Sequence, residues 1–308
     1  MGRLELMKLL RWSLIGYLVW RLLGPLAKPR FREPQEHPWR LPGRTVFVGD
    51  EEFLIREIGP EDGEPVLLIH GLGGSSLGEW YLVGPKLAAS HRLILIDHRS
   101  HGMSRDFLSR YEVDDLADDL AGALDEIGVE SVTAVGYSMG GAIAQSLAHR
   151  HPQKVSRLVL IATFAVHPTA HRLARRAGAV VARGWERLTG TGTPEVRSGY
   201  LLATGAVEPR HARWLWEETH RRNPDAGAQA TLSLLRFDSR PWAGSLEQRT
   251  LVIIPTRDFL VPPAWQHELA QALTESKVVE IPEARHEVVW THPERIADEI
   301  AAFAGQPS

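Results

Sequence analysis

Short apolar runs alternate with longer stretches of helical periodicity from about residue 44 to the end of the chain. This alternation predicts an α/β fold, in which a mostly parallel central sheet has helices on both faces. The apolar runs that best fit strands are Val66–Ile69, Val132–Val135, Leu158–Ile161, Leu251–Ile254 and Val278–Ile281.

One long segment of the chain lacks a strand pattern. Between residues 165 and 246 the periodicity is helical, notably over 172–187 and 208–222. Asn223 and Pro224 supply an N-cap and a first-turn proline for a further helix. We therefore predict a helical insertion over residues 165–246, set into a core formed by residues 44–164 and 247–308.

The first 28 residues differ from the rest of the chain. Residues 3–23 form an apolar helix candidate that carries tryptophans and scattered arginines, which is typical of a membrane-contacting segment. The stretch Trp12–Trp20, the longest without a charge, is about half of the roughly twenty residues that span a bilayer. A spanning helix, an interfacial helix and a helix packed on the protein itself stay open, so the predicted location is membrane-associated or cytoplasmic. Residues 29–43 are rich in proline and read as a linker.

Composition and charge narrow the partners. Hydrophobic residues make up 44% of the chain and charged residues 24%, near the average of soluble domains. The net charge of −3 gives no broad attraction for nucleic acid, which we do not expect as a partner. The chain has no cysteine, so disulfides and thiolate zinc sites are excluded. We predict no metal and no cofactor.

A serine lies where an apolar run meets a helical stretch. Ser138 follows Val132–Val135 and stands between Gly136 and Gly140. Glycines permit a strained backbone and a close substrate, so such a turn holds the hydroxyl out over the sheet. A helix N-terminus also favours developing negative charge. The turn predicts a nucleophile; the alternative is an ordinary Gly-rich turn with an N-cap serine.

Three further segments supply what a serine nucleophile needs. A Gly-rich loop that begins with His70 and Gly71 follows the run Val66–Ile69, and its Leu72 N–H, together with that of Met139, is a candidate oxyanion donor. Asp258 follows the run Leu251–Ile254. His286 is the first histidine after the run Val278–Ile281. A carboxylate at a strand end can orient the imidazole that activates the serine.

The order Ser138, Asp258, His286 resembles the order in which α/β-hydrolases carry their triad. The resemblance covers about residues 44–305 and includes Asp97–Ser104, which is similar to the family's Asp-x-Arg-Gly-x-Gly-x-Ser loop, with Ser100 in place of its first glycine. It implies an α/β-hydrolase fold in which residues 165–246 form a helical cap. It also implies that Ser138 attacks, His286 is the base and Asp258 orients it.

The expected reaction is hydrolysis of a carboxylic ester through an acyl-enzyme on Ser138. A cap rich in apolar residues and an apolar N-terminal segment favour an aliphatic acyl chain, including a lipid. Carbon–carbon bond hydrolysis, perhydrolysis and acyl transfer on the same fold stay open, because only the acceptor and the pocket separate them. A non-catalytic small-ligand-binding module is the alternative outside enzymes.

Overall fold

The computed structural model describes residues 34–105, 109–166, 199–220 and 224–305, together with the single positions 177, 180, 181 and 184. The strands are Arg44–Val48 (β1), Glu51–Ile58 (β2), Glu64–Ile69 (β3), His91–Ile96 (β4), Val132–Tyr137 (β5), Val155–Ile161 (β6), Arg249–Pro255 (β7) and Ser276–Ile281 (β8). The α-helices within these residues are Ser76–Trp80 (α1), Gly84–Leu87 (α2), Val113–Glu126 (α3), Met139–Arg150 (α4), Ala212–His220 (α5), Pro224–Arg236 (α6), Pro263–Ala272 (α7), Val288–Thr291 (α8) and Pro293–Ala304 (α9).

The eight strands form one sheet in the order β1-β2-β4-β3-β5-β6-β7-β8. Strand β2 pairs antiparallel with both β1 and β4, and every other pair is parallel. The predicted α/β fold with a mostly parallel sheet is therefore confirmed. The five apolar runs named above lie within β3, β5, β6, β7 and β8.

The apolar runs are continuous because both faces of the sheet are covered. Successive side chains of a strand point to opposite faces. In β3, Leu67 and Ile69 join the core beneath α3, α4 and α7, whereas Val66 and Leu68 join the core beneath α9. All four side chains are buried. Period-two alternation is consequently absent from such strands.

The strand order reverses at β3, which has β4 on one side and β5 on the other. Ligands bind open α/β sheets at such a switch point, outside the carboxyl ends of the strands. At this edge, His70 directly follows β3 and Ser138 directly follows β5. The loop after β7 leads to Asp258, and the loop after β8 leads to His286.

The described parts of the predicted insertion are mostly helical, with an isolated antiparallel β-bridge between Val166 and Asp238. Helix α6 begins at Pro224, as the Asn-Pro pair predicts. Helix α5 is shorter than the predicted 208–222, because Pro209–His211 forms a separate 3-10 turn before it. The four described positions of the predicted helix 172–187 are all helical.

Residues 34–43 pack against the molecule, and we call them the N-terminal strap. The Glu36 N–H donates to Arg210 O at 2.9 Å, and the Gln35 amide oxygen accepts from Arg213 N–H at 2.9 Å. Trp39 is buried, and its ring occupies the space that a side chain at Gly84 would need. The sequence analysis predicts a linker over residues 29–43; these hydrogen bonds and the buried indole hold its described part, residues 34–43, without regular secondary structure.

Residues 1–33, which include the predicted membrane-contacting segment, lie outside the described residues. Of the helices in the described part of the chain, none is both long and apolar enough to cross a membrane.

Candidate active site

Ser138 stands between β5 and α4 with φ 54° and ψ −117°. A non-glycine residue at such a positive φ costs about 1–3 kcal/mol and needs support from its surroundings. That support includes the Ser138 N–H, which donates to Ile161 O at 2.9 Å at the end of β6. The sequence analysis assigns the strained backbone to the flanking glycines, whereas in the structure the positive φ belongs to Ser138 itself.

The flanking glycines provide close approach. A Cβ on Gly136 would lie 2.3 Å from Gly140 O, and a Cβ on Gly140 would lie 2.2 Å from Ile69 O. Contacts this short are forbidden to real side chains, so only glycine lets α4 start directly against the end of β3. This packing brings Ser138 next to the loop that follows β3.

The structure brings together the three residues of the predicted triad. His286 Nε2 lies 3.0 Å from Ser138 Oγ, and His286 Nδ1 lies 2.7 Å from Asp258 Oδ2. A carboxylate only accepts hydrogen bonds, so Nδ1 carries the hydrogen and Nε2 is left to accept from the serine hydroxyl. The Asp258 side chain is fully buried, and that of His286 is 14% exposed. This geometry is that of a serine poised for deprotonation.

Asp258 is held by more than the histidine. The backbone N–H groups of Leu260 and Val261 each donate to Asp258 Oδ1 at 2.9 Å. The Gln266 amide, on α7, donates to Val261 O at 2.7 Å and lies 3.4 Å from Asp258 Oδ2. Sequence reasoning missed Gln266, because a single polar residue in a helical stretch carries no signal until the helix is placed beneath the loop.

The His286 loop is fixed from two sides. The Tyr137 hydroxyl donates to His286 O at 2.8 Å. From the other side, the Tyr200 hydroxyl donates to Glu287 Oε1 at 2.8 Å. Arg285 is exposed, and the pKa of its guanidinium is raised by its hydrogen bond to the Tyr200 hydroxyl. Residues on either side of the histidine therefore contact a tyrosine from the predicted cap.

The loop after β3 carries the predicted oxyanion donor Leu72. A Cβ on Gly71 would lie 3.2 Å from Ser138 Cβ, which shows how near this loop runs to the serine. His70 accepts a hydrogen bond at Nε2 from the His98 N–H at 3.0 Å, so its Nδ1 carries the hydrogen that faces Gly71 O at 2.9 Å. His70 thus ties the loop after β3 to the loop after β4.

The loop after β4 is organised around buried Asp97. Its carboxylate accepts from Arg56 Nη1 at 3.1 Å and from the Met103 N–H at 3.0 Å. Ser100 adopts φ 64°, the left-handed conformation for which the glycine of the related motif is suited, and Gly102 adopts φ 55°. The departure at Ser100 thus leaves the positive φ in place.

The rings of His70, His98 and His101 pack against one another in tilted and edge-on orientations. The ring centroids of His70 and His98 are 4.0 Å apart, and those of His70 and His101 are 5.3 Å apart. Burial lowers the pKa of His98 well below its ordinary value, and the neighbouring histidines lower it further. His98 is therefore neutral at physiological pH. Among the described residues, no group of three or more His, Asp or Glu side chains is arranged to hold a metal ion.

Comparisons with known proteins agree with this architecture. The chain matches the model of a family described as alpha/beta hydrolase fold over residues 64–198. It is 31% identical over 237 residues to the "Putative carbamate hydrolase RutD" of Variovorax paradoxus (strain S110), which covers 74% of this chain and 86% of that protein. It is 41% identical over 127 residues to 2-hydroxymuconate semialdehyde hydrolase of Pseudomonas sp. (strain CF600), over 40% of this chain and 44% of that one.

A solved structure described as a membrane phospholipase A, a bacterial virulence factor, superposes with a TM-score of 0.72. The similarity covers 98% of both chains at 24% identity. At this level of identity the likeness concerns the fold.

Proposed function

We propose, from the premise that this chain belongs to the α/β-hydrolase family, that it is a serine hydrolase that cleaves carboxylic esters through an acyl-enzyme on Ser138. The observation that carries the proposal is the continuous hydrogen-bonded path from Ser138 Oγ through His286 to Asp258. Family membership supports a hydrolase, and the serine at the turn supports the acyl-enzyme route.

The proposed reaction proceeds in two steps. Ser138 Oγ attacks the ester carbonyl while His286 Nε2 takes the hydroxyl proton, and the charge that develops on His286 is stabilised by Asp258. The Leu72 and Met139 N–H groups would stabilise the oxyanion, and His286 then returns the proton to the leaving alcohol. In the second step a water, deprotonated by His286, attacks the acyl carbonyl and releases the acid and Ser138.

The test of the nucleophile combines labelling with turnover. We expect a fluorophosphonate probe to label Ser138 and p-nitrophenyl esters to be hydrolysed, and Ser138→Ala to lower kcat by up to about a millionfold without lowering Tm. His286→Ala should cost nearly as much, and Asp258→Asn somewhat less, because it disturbs the orientation of the base without removing it. A Ser138→Ala variant that keeps a tenth of wild-type turnover would contradict the proposal.

We assign the acyl group to the aliphatic class. The described part of the cap contributes buried apolar side chains that include Leu201, Trp214 and Leu235. We expect kcat/KM to rise with acyl length across a p-nitrophenyl ester series from acetate to octanoate, because each buried methylene contributes about 0.8 kcal/mol of transfer free energy. A preference for acetate that falls steadily with length would contradict this assignment.

A second candidate reaction is favoured by one comparison. The 41% identity to a 2-hydroxymuconate semialdehyde hydrolase falls on a segment of 127 residues. The same serine, histidine and aspartate would then act on a carbon–carbon bond next to a carbonyl. Turnover of 2-hydroxymuconate semialdehyde at a rate above that of every p-nitrophenyl ester would replace the ester proposal with this one.

We also propose that residues 3–23 contact a membrane surface. Their apolar residues, tryptophans and arginines fit an interfacial location. The strap, which begins ten residues after this segment, is hydrogen-bonded to Arg210 and Arg213.

Sedimentation with phosphatidylglycerol vesicles tests the membrane contact. We expect the full chain to pellet with the vesicles and a chain beginning at Pro34 to stay in the supernatant while it hydrolyses short soluble esters. Retention of the full chain after a high-salt wash would indicate apolar insertion, since salt screens only the electrostatic attraction. A full chain that stays wholly in the supernatant would contradict the proposal.

A further inference from the structure

A buried carboxylate lies beside the nucleophile but outside the triad. Glu79, on α1, is only 1% exposed, and its Oε2 accepts a hydrogen bond from the Gly71 N–H at 2.5 Å. A Cβ on Gly71 would lie 3.3 Å from this oxygen and 3.2 Å from Ser138 Cβ. Gly71 therefore lies between the Glu79 carboxylate and Ser138.

The other oxygen of Glu79 also lies against the loop. A Cβ on Gly74 would come within 2.2 Å of Glu79 Oε1, so the loop residues 71–74 curve around the carboxylate. A glycine-rich loop has many accessible backbone conformations, and one of them must be selected for its N–H groups to face the reacting oxygen. A buried acceptor at the centre of the curve selects such a conformation.

The short helix that carries Glu79 is fixed to the core. Asp97 Oδ1 accepts from the Ser76 N–H at 2.8 Å and from the Ser76 hydroxyl at 2.6 Å. On another side, the Trp290 indole N–H donates to Gly78 O at 3.0 Å. Glu79 thus extends from a rigid base, and its carboxylate can transmit that rigidity to Gly71.

The predicted cap contacts the same short helix. Ser75 is its N-cap and accepts from the Gly78 N–H at 3.0 Å. The Ser75 hydroxyl donates in turn to Glu218 Oε2 at 2.8 Å. Glu218 belongs to α5 and is 7% exposed, so this hydrogen bond is buried. A buried bond between a cap helix and the N-cap of α1 links the position of the cap to that of Glu79.

We infer that Glu79 is a positioning residue that holds loop residues 71–74 in the conformation that presents the Leu72 N–H to the oxyanion. We infer also that Ser75 and Glu218 couple the cap to Glu79. The inference rests on the proposed function, because it presupposes that Leu72 N–H stabilises an oxyanion. Glu79 acts through Gly71: its carboxylate fixes the peptide unit between His70 and Gly71, and the next peptide N–H is that of Leu72. A loop held in place before the reaction avoids reorganisation at the transition state.

The first test compares two replacements of Glu79 that differ in one property. Glu79→Met has a similar length and no strong acceptor, whereas Glu79→Gln retains an oxygen that accepts from Gly71 N–H. We expect Glu79→Met to lower kcat by about ten- to a hundredfold with little change in KM, the signature of an interaction made in the transition state. Glu79→Gln should lose less, and Glu294→Gln, which alters an exposed pair with Lys86, is the control.

The readouts separate positioning from folding. Each variant is measured for Tm, for kcat and KM on a p-nitrophenyl ester, and for the rate of Ser138 labelling by a fluorophosphonate. A Glu79→Met variant with lowered Tm but wild-type kcat would overturn the inference, as would equal losses in Glu79→Gln and Glu79→Met. A wild-type chain that is neither labelled nor active would instead refute the proposed function.

The coupling to the cap has a test that does not depend on Glu79 variants. Glu218→Met, which removes the acceptor, and Ser75→Ala, which removes the donor, are each expected to lower kcat by about two- to tenfold, in the range of a single hydrogen bond. If both break the same link, Glu218→Met should have no further effect on kcat in the Ser75→Ala background. Independent losses that multiply in the double variant would overturn the coupling.

Discussion

At the scale of single residues, the site depends on where the backbone is allowed to come close. Ser138 holds the positive φ, and Gly140 permits the contact between α4 and the end of β3. The two requirements are distinct. Hydrogen bonds can support a strained torsion angle at Ser138, whereas they cannot make room for a Cβ at Gly140. The glycine is therefore the less tolerant of the two to a change of size.

Gly140→Ala is expected to be strongly destabilising. The added Cβ would lie 2.2 Å from Ile69 O and 2.8 Å from His70 O, and both atoms belong to the backbone of the central strand β3 and its loop. We expect the free energy of unfolding to fall by about 2 kcal/mol or more, as for overpacked cores, and ester hydrolysis to fall with it. Urea unfolding and p-nitrophenyl ester turnover measure the two effects.

Gly305→Ala provides the matched control for that change. Gly305 has φ −76°, and an added Cβ would lie 3.4 Å from Ala301 O, an ordinary contact. Its free energy of unfolding should stay within about 0.5 kcal/mol of wild type. Similar stabilities of the two glycine variants would show that the predicted clash is relieved by small backbone shifts.

At the scale of elements, the N-terminal strap decides where the chain can be shortened. Removal of residues 1–33 leaves the strap in place, whereas removal of residues 1–43 deletes buried Trp39 and the bonds to Arg210 and Arg213. Loss of a buried Trp costs about 3–5 kcal/mol. We expect a chain beginning at Arg44 to have a markedly lower Tm than one beginning at Pro34.

Calorimetry of the two shortened chains measures this difference. Trp39→Ala in the chain beginning at Pro34 separates the indole from the hydrogen bonds, and it should reproduce most of the loss. Equal Tm values for the chains beginning at Pro34 and Arg44 would show that the strap does not stabilise the fold.

At the scale of the whole molecule, burial of His98 makes the free energy of unfolding depend on pH. The folded-state pKa of His98 is lowered well below 6.5 by burial among His70 and His101. In the unfolded chain His98 takes up a proton below about pH 6.5, whereas in the folded chain it stays neutral. Stability is therefore full above pH 6.5 and decreases as the pH falls toward the folded-state pKa, by up to about 1.4 kcal/mol per pH unit.

His98→Gln is expected to reduce that slope. Urea unfolding at pH values from 5.0 to 7.5 gives the free energy of unfolding of each chain, and the comparison concerns the slope below pH 6.5 because the packing change affects all pH values alike. An unchanged slope in the variant would show that His98 is not the group responsible.

The sequence alone predicted five of the eight strands and the positions of the candidate triad. A strand that is buried on both faces needs apolar side chains at successive positions, so a continuous apolar run indicates such a strand. The predicted runs lie inside β3, β5, β6, β7 and β8. The serine turn and the order Ser138, Asp258, His286 are readable because each residue directly follows a strand or a short connection. The edge of a parallel sheet then brings such positions together.

Only the tertiary structure decided what supports these residues. The Ser75–Glu218 bond joins positions 143 residues apart, and Gln266 reaches the Asp258 loop from a separate helix. The strap contacts Gly84, Arg210 and Arg213, all of them distant in sequence. A polar side chain in a sequence does not reveal its partner, and a hydrogen bond between distant segments exists only when packing has fixed both of them. The sequence thus predicted the candidate triad, and long-range packing decided which residues hold its three members in place.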